Sequence, residues 1–193
     1  MIPYNKGCKK IRKIREKTPL FLCLNLDMEK ITKNRGMLLE SIINHTNLFY
    51  LEQQKALVHK KNLDIKFKSV MFKENKLITN GAKIISKSTV DYYGIYNGNY
   101  FAFEAKSTEE CNFSLKNVKK HQIEYLDLVL LFKGKAFWIL YFKMQNKFIF
   151  IDHLSFKKIS QNKKSLKFNE VLSYGKELIL EFPGILDYIS CLE

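Results

Sequence analysis

The stretch VDYYGIYNGNYFAFEAK, residues 90–106, decides the fold, because it encodes a hairpin whose register can be read from the sequence. Asn97-Gly98 lies between two runs rich in aromatic and apolar residues, and this dipeptide strongly favours a two-residue type I′ turn. With these two residues as the loop, the numbers of cross-strand partners add to 195, starting from Tyr96 opposite Asn99. The sequence therefore predicts two paired antiparallel strands on either side of this turn.

The same register brings four polar residues together on one face of the hairpin. Asp91 is predicted to lie opposite Glu104, and Thr89 opposite Lys106. Side chains alternate between faces along a strand, and directly opposed residues share a face with their Cβ atoms about 4.5–5.5 Å apart. The other face is predicted to point into a core, and it carries Val90, Tyr92, Phe101, Phe103 and Ala105.

Two opposed carboxylates repel each other unless a cation lies between them. Lys106 could supply part of that charge, and a divalent metal ion would supply it better. Hard oxygen ligands favour Mg²⁺ or Mn²⁺, and Mg²⁺ is commonly held by one or two carboxylates together with water and substrate phosphate. A lysine beside such a site can orient water or stabilise charge that develops on a phosphate. The alternative is a solvated salt-bridge patch on a surface hairpin.

The charge of the whole chain indicates a polyanionic partner. The 193 residues include 33 Lys and Arg against 19 Asp and Glu, a net charge of +14. Nucleic acid is the first expectation for such an excess, and an anionic membrane the second. No stretch is apolar enough to span a membrane, and the apolar residues 19–24 are too short for a signal peptide. The four cysteines show no paired spacing. A reduced cytoplasmic protein without a membrane partner is therefore predicted.

Two segments hold much of the excess positive charge. Residues 1–33 contain nine basic and three acidic side chains, and residues 60–87 contain eight lysines and two acids, so each has a net charge of +6. The first segment is predicted to be a flexible or helical basic arm of the kind that lies along phosphate backbones. The second is predicted to project as a two-stranded or helical excursion. Solubility of a lysine-rich chain is the alternative explanation for both.

The order of the predicted elements indicates a single domain of α+β or α/β class over residues 34–193. Strands and helices follow one another around the hairpin, so a mixed central sheet flanked by helices is expected. Besides the hairpin and the excursion at about 62–87, the predicted elements are a helix over 34–46, a strand over 56–60, a helix over 115–132, strands over 136–143 and 147–152, and an amphipathic stretch over 185–192.

Three residues on the predicted helices carry further hypotheses. Glu40 lies at the edge of the apolar stripe of the first helix, where it can point along the sheet or into water. Gln122 falls in the middle of the apolar face of the second helix, where an amide needs a partner. It either satisfies a buried backbone group or reaches the polar face of the hairpin. His121 lies outside that stripe and is expected to contact phosphate or water.

Several sequence blocks, in order over roughly residues 34–190, resemble the RecU family of Holliday-junction resolvases, part of the PD-(D/E)xK nuclease group. The blocks are NRGMLLE (34–40), ALVHKK (56–61), STVDYYGIYNGNYFAFEAK (88–106), HQIEYL (121–126) and DYIS (187–190). The resemblance implies a restriction-endonuclease-like nuclease core from which a basic stalk protrudes. It also implies a metal-dependent endonuclease that resolves four-way DNA junctions in recombination and repair.

The resemblance also implies roles for individual residues. Asp91, Glu104 and Gln122 are implied as ligands of Mg²⁺ or Mn²⁺, with Thr89 also near the ion. Lys106 is implied to stabilise the transition state, and Glu40 on the first helix to support the site. Contacts to DNA are expected from Arg35, Lys60, Lys66, Lys68, Lys76, Lys83, Lys87 and His121.

The family resemblance further implies that the stalk enters the centre of the junction and that two subunits pair to cut two strands. A homodimer bound to four-way junction DNA is therefore expected. Two alternatives stay open. A related nuclease acting on duplex or flap DNA would lack the basic excursion, and a non-catalytic junction-binding protein would not need the carboxylate pair.

Overall fold

The structure is a computed structural model, and it describes residues 37–62, 64–79, 81–86 and 89–193. The predicted basic arm over 1–33 lies outside the described residues, as do the predicted DNA contacts Arg35 and Lys87. Within the described part of the chain, no helix has the length and apolar character needed to cross a membrane.

Helices pack on both sides of a central sheet. The α-helices are α1 (Met37–Glu52), α2 (Lys120–Leu131), α3 (His153–Ser160) and α4 (Phe168–Tyr174), and two 3₁₀ turns cover Leu115–Asn117 and Ile189–Leu192. The strands are β1 (Leu57–Lys60), β2 (Asp64–Phe67), β3 (Val70–Lys73), β4 (Lys76–Thr79), β5 (Ala82–Ser86), β6 (Tyr92–Tyr96), β7 (Asn99–Thr108), β8 (Asn112–Ser114), β9 (Lys135–Phe142), β10 (Lys147–Asp152), β11 (Ser165–Lys167), β12 (Lys176–Leu178), β13 (Leu180–Glu181) and β14 (Ile185–Leu186).

The central sheet has six strands in the order β1-β6-β7-β9-β10-β12. Strands β7 and β9 run parallel, with α2 in the connection between them, and the other neighbours are antiparallel. A parallel pair needs such a crossover connection, whereas antiparallel neighbours can be joined by a tight turn. The predicted class, a mixed central sheet flanked by helices, is confirmed.

The hairpin of β6 and β7 has the predicted register, from Tyr96 opposite Asn99 to Tyr92 opposite Phe103. Asn97 and Gly98 have φ values of 48° and 76°. A type I′ turn requires positive φ at both central residues, so the dipeptide supplies the conformation that the turn needs. Strand β7 continues past its partner strand to Thr108, because it also pairs with β9 along that length.

Two apolar cores bury the two faces of the sheet. The α1 core combines residues of α1 and the C-terminal 3₁₀ turn with Tyr92, Phe101 and Phe103 of the hairpin. The α2 core combines α2, α3 and α4 with alternate residues of the same strands, including Ala102 and Trp138. Because both faces are covered, any charged side chain in the middle of the sheet must lie in a low-dielectric environment.

The start of the hairpin departs from the prediction. Val90 was predicted to share the core-facing side with Tyr92, but it packs in the α2 core with Ala102. The ladder ends at Tyr92, and Asp91 lies in a bend rather than in strand β6. Strict alternation of side chains holds only within a strand, so it does not extend across this bend.

Helix α1 continues to Glu52, past the predicted end at Thr46. Thr46 and Asn47 interrupt the apolar stripe in sequence, but both are buried. The Thr46 hydroxyl accepts a hydrogen bond from the Leu186 amide at 3.0 Å, and the Asn47 side-chain oxygen accepts one from the Tyr188 hydroxyl at 2.6 Å. The polar side chains are therefore core positions whose partners come from the far end of the chain.

The excursion forms the two-stranded alternative of the prediction, a long antiparallel ribbon that we call the stalk (residues 64–86). From Ile65 opposite Ile84 to Lys73 opposite Lys76, every pair has the same register, and a bulge follows at Asp64. The turn residues Glu74 and Asn75 have φ values of 53° and 58°. The described side chains of the stalk are exposed, as expected for a projection from the domain.

Lysines and large apolar residues both occur along the stalk. Lys66 is paired with Lys83, and Lys73 with Lys76 beside the turn, so the two lysines of each pair share a face. Lys68 lies in a bend after β2, where its backbone N–H donates to the Gly81 carbonyl at 3.1 Å. Large exposed apolar residues of the stalk include Ile65, Phe67, Phe72, Leu77 and Ile84.

Candidate active site

Three charged side chains converge at the C-terminal half of β7. The Lys106 ammonium lies 2.8 Å from Glu104 Oε2 and 3.4 Å from Asp91 Oδ2. Asp91 Oδ2 also accepts a hydrogen bond from the backbone N–H of Ala105 at 3.2 Å. The structure thus brings together three of the four residues of the predicted polar face. Asp91 reaches them from the bend before β6, not from the ladder.

Glu104 is the most unusual of these side chains, because it is 0% exposed. Among the described residues, no backbone or amide N–H donates to its carboxylate oxygens, and its charged partner is the Lys106 ammonium, 2.8 Å from Oε2. Burial, reinforced by the adjacent Asp91 carboxyl, raises the pKa of Glu104 to about 9, against a partial opposing effect of Lys106. Burial lowers the pKa of Lys106, but the attraction of the two carboxylates is larger and the net shift is upward.

This arrangement fits a divalent metal ion. The Asp91 and Glu104 carboxylates share the one ammonium of Lys106, so a further cation would balance their charge. Oxygen donors are the ligands that Mg²⁺ and Mn²⁺ prefer. Among the residues that the structure describes, no group of three or more His, Cys, Asp or Glu side chains is arranged to hold a metal. An ion at Asp91 and Glu104 would therefore take its other ligands from amide, hydroxyl, backbone, water or substrate oxygens, as Mg²⁺ commonly does.

Gln122 lies at the start of α2, on the face of the sheet that carries Glu104, and is 7% exposed. Its side-chain oxygen accepts a hydrogen bond from the backbone N–H of Lys119 at 2.9 Å. Of the two alternatives that the sequence leaves open, a hydrogen bond to a backbone group is the one present in this structure, although Lys119 itself is exposed. The amide oxygen has a second lone pair, so the ligand role stays a prediction.

Glu40 and Lys60 form an ion pair at the entrance to the site. Both line a cavity of about 580 Å³ together with Asp91 and Lys106. Glu40 therefore points from α1 towards the site, where it neutralises a lysine that was predicted to contact DNA. The cavity is large enough to accept a group of nucleotide size.

Several predicted residues do not line this cavity. Two of them, Glu104 and Gln122, are buried. Thr89, two residues before Asp91, and His121, at the first turn of α2, are half-buried. The predicted DNA contacts on the stalk also lie outside the lining, and they are Lys66, Lys68, Lys76 and Lys83.

The cavity also includes residues that the sequence analysis missed. Lys61 lines it, and its backbone N–H donates to the Asp91 carbonyl at 2.8 Å, which ties β1 to the bend before β6. Its place beside Lys60 at the end of a predicted strand was an available signal. Ser114 and Asn117 also line it. No periodic pattern marks them, since they belong to a short strand and a 3₁₀ turn.

Comparisons with known proteins identify the family of the chain. A family model described as Recombination protein U matches residues 34–193. The Holliday junction resolvase RecU of Mycoplasmopsis pulmonis is 39% identical over 159 residues, which covers 82% of this chain and 94% of that protein. The Holliday junction resolvase RecU of Bacillus cytotoxicus is 36% identical over 167 residues, which covers 83% of this chain and 84% of that protein.

A solved structure of Hjc, a Holliday junction resolvase from Archaeoglobus fulgidus, matches with a TM-score of 0.45 and 15% sequence identity, and the match covers 72% of this chain and 93% of that chain. The family assignment comes from the sequence comparisons alone, because the family model spans the whole described domain and the relatives match over most of their length. On that basis, this chain belongs to the RecU (Recombination protein U) family.

Proposed function

We propose that this protein is a metal-dependent, structure-specific endonuclease that resolves four-way DNA junctions. The observation that carries the proposal is the fully buried Glu104 carboxylate, which shares the Lys106 ammonium with Asp91. Asp91 and Lys106 line a cavity, and the chain has a net charge of +14. The relatives named Holliday junction resolvase RecU support four-way junction DNA as the substrate.

Asp91 and Glu104 are proposed as direct ligands of one Mg²⁺ or Mn²⁺ ion, with Gln122 and Thr89 contributing oxygens nearby. A bound divalent ion would supply positive charge for the scissile phosphate and acidify a water molecule. Lys106 is held between the carboxylates in the structure. Once their charge is neutralised, its ammonium can donate to a phosphate oxygen and stabilise charge that develops during hydrolysis.

Glu40 is proposed to hold the entrance of the site in order through its ion pair with Lys60. Both side chains are partly exposed, so the pair contributes little to folding and can be exchanged for contacts with DNA. A phosphate group entering the cavity would compete with Glu40 for the Lys60 ammonium.

The stalk is proposed to enter the centre of the junction. Its lysines Lys66, Lys68 and Lys83 suit the phosphates that converge there, and Lys76 and His121 are proposed as further phosphate contacts. The segment 1–33, with its net charge of +6, is proposed to add contacts along a DNA arm.

Two copies of the chain are proposed to act as a homodimer. A four-way junction has two strands to be cut, and a two-fold axis would present two identical sites to them. A DNA substrate and cysteines without paired spacing favour the cytoplasm as the location.

The test is cleavage of a synthetic four-way junction and a linear duplex of matched sequence, each with Mg²⁺, Mn²⁺ or a chelator. Junction cleavage that requires metal is expected, with little cleavage of the duplex. Lys106→Met should remove cleavage, while Lys147→Met should not, because Lys147 pairs with Glu177 at the other end of the sheet. Equal cleavage of both substrates would point to a general nuclease of the same group. Binding of the junction without cleavage in any metal would point to a non-catalytic binding protein.

A further inference from the structure

The single tryptophan of the chain, Trp138, lies next to Glu104 in the sheet. The two are register partners on the parallel strands β7 and β9, and both are 0% exposed. Register partners project to the same face, and neighbouring strands are about 4.8 Å apart. Trp138 therefore occupies the position beside the carboxylate on the α2 side of the sheet.

A chain of hydrogen bonds fixes the orientation of the indole. Trp138 Nε1 donates to His153 Nδ1 at 3.0 Å, and His153 Nε2 lies 3.0 Å from Asp127 Oδ1. The indole N–H can only donate, so Nδ1 is an acceptor and the proton is on Nε2, which donates to Asp127. Lys157 completes the chain with contacts of 2.8 and 2.9 Å to the Asp127 carboxylate.

This network connects the three elements around the site. Asp127 belongs to α2, the helix that carries Gln122, and His153 is the first residue of α3. The indole also stacks on Phe156 of α3, with ring centres 4.3 Å apart. Burial lowers the pKa of His153, despite the opposing effect of Asp127, so the imidazole stays neutral and keeps its acceptor at Nδ1.

The mechanism proposed above uses none of these four polar groups. Asp127 is on the outer side of α2, and neither Trp138 nor His153 lines the cavity. The network fixes the orientation of the residue beside Glu104 and links β9 to α2 and α3. Groups that hydrogen-bond to metal ligands change metal affinity by about 10- to 100-fold when they are altered, and a side chain that packs beside a ligand acts in the same direction.

We propose that Trp138 is a positioning residue of the metal site, held by His153 and Asp127. Its indole keeps water away from Glu104 and confines the carboxylate to the orientation in which it meets Asp91. This inference rests on the proposed metal site at Asp91 and Glu104. It assigns a function to a hydrogen-bond network that contributes no ligand to that site.

The experiment is calorimetric titration of the full chain with Mn²⁺ in the absence of DNA, so that activity is not the readout. Trp138→Phe and His153→Leu should each weaken Mn²⁺ binding by about tenfold. His153→Gln, which keeps an acceptor and a donor, should stay within about twofold of the wild type. Tyr188→Phe is the matched control, because it also removes one buried aromatic hydrogen bond, to Asn47, but in the α1 core.

Affinities within twofold of the wild type for folded Trp138→Phe and His153→Leu would overturn the proposal, as would an equal loss in Tyr188→Phe. If a variant fails to fold, a fluorescence measurement on the wild type tests the proposal instead. Mn²⁺ is a short-range quencher, so its binding should quench Trp138 emission at the concentrations found by calorimetry, and an unchanged emission at saturation would overturn the proposal. The variant Glu104→Gln distinguishes a failure of the proposed metal site from a failure of the positioning role of Trp138. Undiminished Mn²⁺ binding in that variant would refute the metal site itself, whereas its loss leaves the positioning role to be judged on the other variants.

Discussion

Replacing Glu104 with glutamine should stabilise the metal-free protein while it removes metal binding. The carboxylate is fully buried, lies beside Asp91 and shares with it the ammonium of Lys106. A glutamine of the same shape is neutral, and its amide can donate to the Asp91 carboxylate while its oxygen faces the Lys106 ammonium. The substitution thus removes an unsatisfied buried acid without leaving a cavity.

The size of the effect follows from the pKa of Glu104, which burial and Asp91 raise from 4.5 to about 9. A carboxyl with a raised folded-state pKa gives its full contribution to stability below the unfolded value and loses it as pH rises towards the folded value. Each pKa unit corresponds to about 1.4 kcal/mol, so the loss between pH 4.5 and pH 7 is about 3 kcal/mol. At pH 7, Glu104→Gln should be more stable by about that amount, which is about 6–12 °C in melting temperature for a domain of this size.

The assay is urea unfolding in chelator at pH 5, 6, 7 and 8, followed by circular dichroism. The advantage of Glu104→Gln over the wild type should increase with pH across this range. Glu177→Gln is the matched control, because it alters a partly exposed acid that pairs with Lys147 and should change the free energy of unfolding by less than about 1 kcal/mol. Saturating Mn²⁺ should stabilise the wild type by about 3 kcal/mol at a hundred times its dissociation constant and should leave Glu104→Gln unchanged.

Two results would refute this reasoning. If Glu104→Gln were less stable than the wild type at pH 8 without metal, the carboxylate would be ionised and satisfied in the folded state. If Mn²⁺ stabilised the variant as strongly as the wild type, the ion would bind elsewhere.

The remaining predictions concern other parts of the domain. Gln122→Leu should lower the free energy of unfolding by about 1 kcal/mol, because the Gln122 amide caps the first turn of α2. If the variant also binds Mn²⁺ more weakly in calorimetry, the result would support Gln122 as a metal ligand. The pKa of His153 is lowered, so its contribution to stability is present above about pH 6.5 and lost as pH falls; His153→Gln should flatten the decline in unfolding free energy between pH 7 and 5. Changing Lys66, Lys68 and Lys83 to glutamine together should weaken binding of a four-way junction and reduce its salt dependence, with duplex binding less affected in titrations at two salt concentrations. An equal loss on both DNAs would make the stalk a general phosphate contact.

The hairpin could be predicted from the sequence because its determinants are local. Asn97-Gly98 specifies the turn, and a two-residue turn fixes the register, which in turn places Glu104 and Lys106 on the same face. The approach of Asp91 to both was also predicted. Its route was not, because the ladder ends at Tyr92 and the last contact is made through a bend.

The features that the sequence did not reveal depend on distant partners. Thr46 and Asn47 are polar positions at which the apolar stripe of the helix ends in sequence, and hydrogen bonds to the C-terminal segment explain their burial. His153 and Asp127 are 26 residues apart and contact each other directly, while Trp138 donates to the other ring nitrogen of His153. Neither period nor spacing marks such a triad, since each member alone suits an ordinary helix or strand position. The sequence shows which residues carry charge, but it does not show which of those residues the fold buries away from water.

The burial of the Glu104 carboxylate is itself an argument for the proposed function. Nothing in the packing around Glu104 requires a carboxylate, because a neutral side chain of equal size would satisfy the same space and, by the reasoning above, would raise stability by about 3 kcal/mol. Lys106 offsets only part of the repulsion from Asp91, as the raised pKa of Glu104 shows. Groups that are strongly perturbed in this way cluster where a protein needs them for binding or chemistry. The two carboxylates of this site carry more negative charge than Lys106 balances, and a divalent cation bound by their oxygens would supply the additional positive charge. The instability of the metal-free site and its proposed metal affinity are then two consequences of the same buried carboxylate.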